Sequence, residues 1–312
     1  MAHVGDPRPW RLLLVVPVVA SFILFALPQY FFIASSFHEN LGYGRIGEAW
    51  TLANYHRLFT DRFYIGALVK TVGLSAASTI VCLIIGFPVA YMLARMGTRS
   101  KAALSGLLVA AMFVTPVVKD LGLIIILSQS GIVNQTLELL GIITGPIQWL
   151  GAEIGVLIGL VHYMLPLIVL LLATVIATVP RSLEDAAHAH GASRARVYYG
   201  VIVPIVRPGI IAAALMVFNL AMGAFTTPAL LGGGRVLTFA ILIQRSVILD
   251  VDYPFAASLS SVLLVTVFLL NVLAGFLMVR QAQVRRGRPK RTAPPTSLDP
   301  AVPAGATAAV GT

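Results

Sequence analysis

Residues 154–180 read IGVLIGLVHYMLPLIVLLLATVIATVP, 27 positions without a single Asp, Glu, Lys or Arg. A helix of about 20 apolar residues crosses the ~30 Å hydrocarbon core of a bilayer. In hydrocarbon every backbone N–H and C=O must be bonded within the protein, which only helices and closed barrels achieve. The run is continuously apolar and does not alternate, so it reads as a helix. Working outward, further charge-free runs occupy 12–37, 71–94, 102–118, 208–234 and 253–279. The whole chain of 312 residues is 58% hydrophobic and only 11% charged, with a mean hydropathy of +0.91. A soluble domain carries about 25% charged residues, so this chain could not cover a core with polar surface, and a cytosolic globular enzyme is excluded. The reading is an all-α membrane protein with about six transmembrane helices, at 12–36, 71–94, 102–127, 154–179, 208–230 and 255–279.

The third of these is read as one long helix, bent near Pro116 and continuing past Lys119 and Asp120 to about Leu127. A break at 128–131 and a short helix at 134–141 follow it. The first run is far longer than the 7–15 apolar residues of a signal peptide, so it is an uncleaved span. The sole cysteine, Cys82, falls inside the second run, so no intramolecular disulfide is available.

Charge position sets the orientation. With six spans the termini share a side, and 15 of the 22 Lys and Arg residues fall on it, among them Arg95, Arg181, Arg194, Arg196 and the cluster from Arg280 to Arg291. The positive-inside rule places that side, and both termini, in the cytoplasm. Residues 1–11 are then a cytoplasmic N-terminus and 12–280 the transmembrane domain. Residues 281–312 form a tail that is basic to Arg291, then rich in Ala, Pro, Thr and Gly, without apolar periodicity to order it. The net charge of +10 is read as contact with anionic lipid headgroups, not with nucleic acid.

The spans themselves carry little chemistry. Carriers that couple to ions hold ionisable residues at membrane depth; here the candidates are His162 and the Lys119/Asp120 pair at a span end. No Gly-x4-Gly-Lys-Ser/Thr phosphate loop or His-Glu-x2-His zinc motif occurs, and His188 and His190, two apart, point to different faces of a helix. No metal, cofactor or catalytic residue is assigned, and the energy source must lie in another chain. A self-contained carrier or channel is the alternative, and it would need the intramembrane charge that is missing.

The informative segment is the loop 181–204 between the fourth and fifth spans. Ser182 reads as an N-cap with Asp185 three residues on, approximating a capping box. Glu184 and Asp185 lie where the helix dipole favours acids. Ala186, Ala187 and Ala189 form helix and let a partner surface approach closely. Gly191 ends the helix in the left-handed cap conformation, and a second short helix over 193–202 runs up to Pro204.

These residues carry a resemblance. Asp185-Ala186-Ala187, three residues, Gly191, nine residues, Val201-x-Val203-Pro204 is similar to the EAA motif of inner-membrane permease subunits of binding-protein-dependent ABC importers. The family form has Glu for Asp185, Ile for Val201 and Leu for Val203. Leu52-Ala53-Asn54-Tyr55 and the following Leu58-Phe59-Thr60-Asp61 resemble the family's first periplasmic loop; Ser130-Gly131-Ile132-Val133-Asn134 and Leu160-Val161-x3-Leu165-Pro166 are also similar. The stretch from Gly223 to Gly233 resembles the end of the fifth span in the spermidine/putrescine subgroup, which commonly has an acid where this chain has Ala224.

The resemblance implies a type I importer permease fold in a bacterial inner membrane. It further implies that Glu184, Asp185, Ala186, Ala187, Gly191, Ala192 and Pro204 couple to the ATPase, which binds ATP. The implied partners are two cytoplasmic ATPase subunits, a second permease subunit, homologous or identical, and a periplasmic substrate-binding protein. The implied solute is a polyamine or a related small organic compound. His162, Tyr163, Asn219, Phe225, Thr226 and Thr227 are the pathway candidates, although polar residues in spans also serve to tie helices together.

Overall fold

A computed structural model describes residues 8–286; residues 1–7 and the tail from 287 lie outside it, and with them half of the basic cluster (Arg288, Lys290 and Arg291). The chain begins with helix α1 (Arg8–Ser35), a two-stranded hairpin β1 (His38–Asn40) and β2 (Ile46–Trp50), and a short helix α2 (Ala53–Thr60). Then come α3 (Arg62–Arg95), α4 (Thr98–Phe113), α5 (Pro116–Leu127), α6 (Ile132–Leu139) and α7 (Glu153–Ala177). After these follow α8 (Arg181–Ala189), α9 (Arg194–Val197), a π-helical turn (Tyr198–Ile202), α10 (Val203–Met222), α11 (Thr226–Leu231), α12 (Phe239–Ile248) and α13 (Tyr253–Arg286). Among the described residues, six stretches are long and apolar enough to cross a membrane: Val15–Ser35, Arg62–Arg95, Pro116–Leu139, Glu153–Ala177, Arg194–Met222 and Tyr253–Phe276.

The helix ends differ from the sequence reading for local physical reasons. The second helix begins at Arg62, not at 71, because the Asp61 side chain caps it, accepting from the Phe63 N–H at 2.9 Å. Lys70, inside that helix, is paired with Glu153 at 2.8 Å. The third is not one bent helix over 102–127. Val114 and Thr115 are extended, with ψ of 123° and 149°, because the residue before a proline is pushed out of the helical region; Pro116 then opens α5, where its missing N–H costs nothing.

The fifth is not a single helix over 208–230. It starts earlier, is continuous with α9 through the π-turn, and stops at Met222. The chain restarts at Thr226, where Pro228 is tolerated in the first turn of α11. No separate helix ends at Pro204: the Val203 N–H bonds the Tyr198 carbonyl five residues back. That wider turn carries the chain straight into α10.

Packing centres on α7. Met164, Ile168, Leu172 and Ile176, spaced four apart, form a fully buried stripe of the kind that faces a neighbouring helix. Close approach on that helix is bought with glycine. A Cβ at Gly86 of α3 would stand 2.9 Å from Ile168, and one at Gly209 of α10 would run into Val175 of α7. A second apolar cluster joins Leu58, Ala67, Phe239, Leu242, Phe255 and Leu259. There the Arg57 guanidinium lies 4.1 Å from the Phe255 ring centroid and 3.7 Å from Asp252. By contrast, the apolar window of α1 is entirely unburied within this chain.

Overpacking a close helix contact costs about 1–3 kcal/mol. Gly209→Leu is therefore expected to lower the detergent melting temperature by several degrees. Gly106→Leu on α4, whose Cβ meets nothing within 4 Å, is expected to leave it unchanged; equal melting of the two variants would refute this account of the packing.

Two motifs noted in the sequence acquire physical roles. Asn54 donates to the Ser36 and His38 carbonyls, each at 2.9 Å, and fastens the hairpin onto α2. Asn134, 1% exposed, closes the segment after α5: its amide donates to Ile147 O at 3.0 Å and accepts from Ile147 N at 3.1 Å and Trp149 Nε1 at 3.0 Å.

Candidate functional site

Two regions gather the residues singled out by sequence. The first is α8 and its flanks. The helix starts two residues earlier than the capping reading requires. Pro180 occupies the N-cap with no side-chain bond, so Ser182 and Asp185 lie within the helix and form no capping box. Its C-terminal end is closed by a Schellman motif: the Gly191 N–H bonds His188 O at 2.9 Å and the Ala192 N–H bonds Ala187 O at 3.0 Å. Gly191 takes φ +76° to make this turn.

The two histidines reinforce the turn, His188 Nδ1 lying 3.0 Å from Ala192 O and His190 Nδ1 2.8 Å from Ala186 O. No group of three His, Cys, Asp or Glu suited to a metal occurs among the described residues. Beyond Gly191, Ser193 caps α9 by accepting from the Arg196 N–H. Tyr198 of the π-turn packs edge-on against Phe87 and Tyr91 of α3, at centroid distances of 5.1 and 5.4 Å.

The adjacent acids of α8 separate. Asp185 and Ala186 are exposed, Ala187 and Ala192 are half-buried, and Glu184 is 8% exposed. Glu184 forms an ion pair with Arg95 and accepts a hydrogen bond from the Tyr91 hydroxyl at 2.7 Å. Arg95 also donates to Val179 O at 3.1 Å, and Arg181 returns a bond to Arg95 O at 2.9 Å. The sequence reading counted Arg95 only as a cytoplasmic charge and did not single out Tyr91. The only local trace was the position of Arg95 just beyond an uncharged run.

The second region is a pocket of about 270 Å³ whose lining includes Tyr163, Asn219, Phe225, Thr226 and Thr227, together with Pro116 and Ala224. Five of the six pathway candidates thus meet at one place. His162 is exposed and is not part of that lining. The amide of Asn219 is committed to a reciprocal pair with Asn271 of α13, at 3.1 and 2.8 Å.

Behind the pocket wall lies Asp120, 1% exposed, which accepts from the Thr227 hydroxyl at 3.0 and 3.3 Å. Lys119, its neighbour, points elsewhere, its ammonium 5.3 Å from the Tyr163 ring centroid. A Cβ at Gly159 of α7 would collide with Leu231 and Thr227 and stand 3.6 Å from Asp120, so glycine there admits the pair. Asp120 was read as half of a charged pair at a span end. In the fold it sits inside the protein and holds α5 to α11.

Residues 86–286 match the family model described as the binding-protein-dependent transport system inner membrane component. The chain is 32% identical over 259 residues to the spermidine/putrescine transport system permease protein PotB of Haemophilus influenzae, covering 82% of this chain and 90% of that one. It is 32% identical over 258 residues to PotB of Escherichia coli K12, covering 82% and 94%. Among solved structures, a chain of a bacterial ABC transporter that imports the acidic polysaccharide alginate superposes with a TM-score of 0.70 at 18% identity, over 88% of this chain and 96% of that one.

Proposed function

The chain belongs to the family of inner membrane components of binding-protein-dependent transport systems, and from that premise we propose that it is the permease subunit of an ATP-driven importer of a polyamine or a related small organic compound. The reading of a multi-pass protein of the bacterial inner membrane agrees with this. The observation that carries the proposal is the short helix α8. It is stopped by a glycine-dependent Schellman turn and presents Asp185 and Ala186 outward, as a rigid feature that a partner can seat.

In the proposed assembly this chain and a second permease subunit enclose a pathway, and a periplasmic binding protein delivers solute to the loops around the β1–β2 hairpin and α12. Two cytoplasmic ATPase subunits bind and hydrolyse ATP and carry α8 with them, biasing the spans between inward- and outward-open packings. Glu184, Asp185, Ala186, Ala187, Gly191, Ala192 and Pro204 belong to the coupling segment. Tyr163, Asn219, Phe225, Thr226 and Thr227 border the pathway where they line one pocket. The polyamine assignment is supported by the names of the similar permeases.

The test is a gentle detergent pull-down of this chain with an ATPase assay and identification of what accompanies it. An ATPase and a second permease are expected, and their companion binding protein is then titrated with putrescine and spermidine. A chain that came alone and moved solute in liposomes without ATP would instead be a self-contained carrier.

A further inference from the structure

Helix α8 is covalently joined to α7 on one side and, through α9 and the π-turn, to α10 on the other. Yet its most desolvated polar contact is with neither. The Glu184 and Arg95 side chains retain 11% and 16% of their exposure, and Arg95 is the last residue of α3. Tyr91, one turn earlier on α3 and 93 positions from Glu184 in sequence, donates to the second carboxylate oxygen. Arg95 additionally holds Val179 O in the segment leading into α8, while Arg181 satisfies the carbonyl that α3 leaves open at Arg95. The end of α3 is therefore gripped from both sides by the start of α8. Tyr198, packed on Phe87 and Tyr91, closes the same end of α3 from the π-turn.

The consecutive acids divide the labour. Successive helical residues point about 100° apart, so Asp185 stays exposed toward a partner while Glu184 turns inward to α3. A surface ion pair would be worth little. A largely desolvated pair with additional hydrogen bonds has a defined geometry, and removing one partner leaves the other charge without its counterpart.

We propose that Arg95 and Tyr91 are positioning residues that clamp α8 to α3, so that displacement of the coupling helix enters the second span directly and not only the two spans joined to it by sequence. This rests on the importer reading above. From Arg95 the displacement has a packed route. Cys82 and Gly86 of α3 lie against α7, with Cys82 Sγ 3.7 Å from Val161 O and Gly86 against Ile168. Helix α7 in turn carries Tyr163 of the pocket.

The experiment uses the whole complex, with ATPase, second permease and binding protein, reconstituted in liposomes, and reads solute moved per ATP hydrolysed. Arg95→Met and Glu184→Gln are each expected to lower that ratio by about tenfold or more, and the double variant by no more than the worse single one. Tyr91→Phe removes one hydroxyl without opening a cavity and is expected to lower it by about two- to fivefold. The exchanged pair Arg95→Glu with Glu184→Arg is expected to recover to within about threefold of the parent. The amount of ATPase retained by Arg95→Met and Tyr91→Phe should stay within about twofold of the parent, since both residues lie on α3 and the coupling segment is untouched.

An unchanged ratio in Arg95→Met and Tyr91→Phe overturns the clamp while leaving the importer reading intact. So does a loss of retained ATPase that parallels the loss of uptake and that the exchanged pair fails to restore. A parent complex that holds no ATPase overturns the importer reading itself, and the clamp with it.

Discussion

Gly191→Val is expected to abolish uptake and to reduce ATPase co-purification by about tenfold or more, while the chain still inserts and melts close to the parent. Gly191 holds φ +76°, a conformation that costs an L-residue roughly 1–2 kcal/mol, and valine is β-branched. No atom lies within 4 Å of a Cβ built there, so the cost is conformational strain and not collision. The backbone relieves that strain by leaving the left-handed region. This breaks the bonds from Gly191 and Ala192 to His188 and Ala187, and a nine-residue helix loses its last turn. The bilayer-embedded core does not feel this; the outward face of α8 does. Gly191→Asn, which tolerates the left-handed region, is expected to keep most of the activity. Equal ATPase retention by the valine variant would sink the view that α8 must be rigid to be recognised.

The second large effect is expected at Asp120. Asp120→Ala leaves the Thr227 hydroxyl buried without its acceptor, at a cost of about 1–3 kcal/mol, and frees α11 from α5 beside the pocket. Uptake is expected to fall by about tenfold or more, with a lowered melting temperature. Asp120→Asn keeps an oxygen acceptor in the same place and is expected to retain stability. If the asparagine variant melts like the parent but transports as poorly as the alanine one, the carboxyl charge matters beyond anchoring Thr227. If both transport normally, the pocket does not depend on this tie.

The contrast between these two sites shows what a sequence can disclose. Five of the six stretches were legible as uncharged runs because hydrocarbon disfavours unpaired charge over the length of a span; the third, Pro116–Leu139, carries Lys119 and Asp120 and was displaced from the uncharged run at 102–118. Their ends were less legible, since a helix continues into the polar zone whenever a cap and a counter-charge allow it, as Asp61 and Glu153 do for α3. Pro116 was visible, but whether a proline bends a helix or starts a new one is decided by the backbone before it, and Val114 and Thr115 chose extension. Gly191 was legible because a left-handed turn is a local demand.

Glu184 with Arg95, and Asp120 with Thr227, were not. Each pairs residues on different helices, the latter 107 positions apart, and nothing in local pattern says which of two adjacent acids faces inward. The pathway candidates were legible as a group, because span ends rich in Thr, Asn and aromatics stand out in an apolar chain. Their convergence on one pocket, without His162, required the fold.

The π-helical turn at Tyr198–Ile202 has a consequence for chain length. It accommodates one residue more than an α-helical turn would, and each residue advances a helix by about 100°. Deleting one of these five residues would let the segment settle into regular α-helix with α9 and α10 keeping nearly their relative bearing, whereas a deletion in the regular helix of α10 would swing α9 by about that angle. After a deletion in α10 the stacked ring of Tyr198 would leave α3, and the arm bearing the EAA-like loop would point along a different bearing from the span it drives. Single-residue deletions scanned along α9 and α10 should therefore be tolerated best here, since this turn holds the one residue that can be given up without turning one half of the shaft against the other.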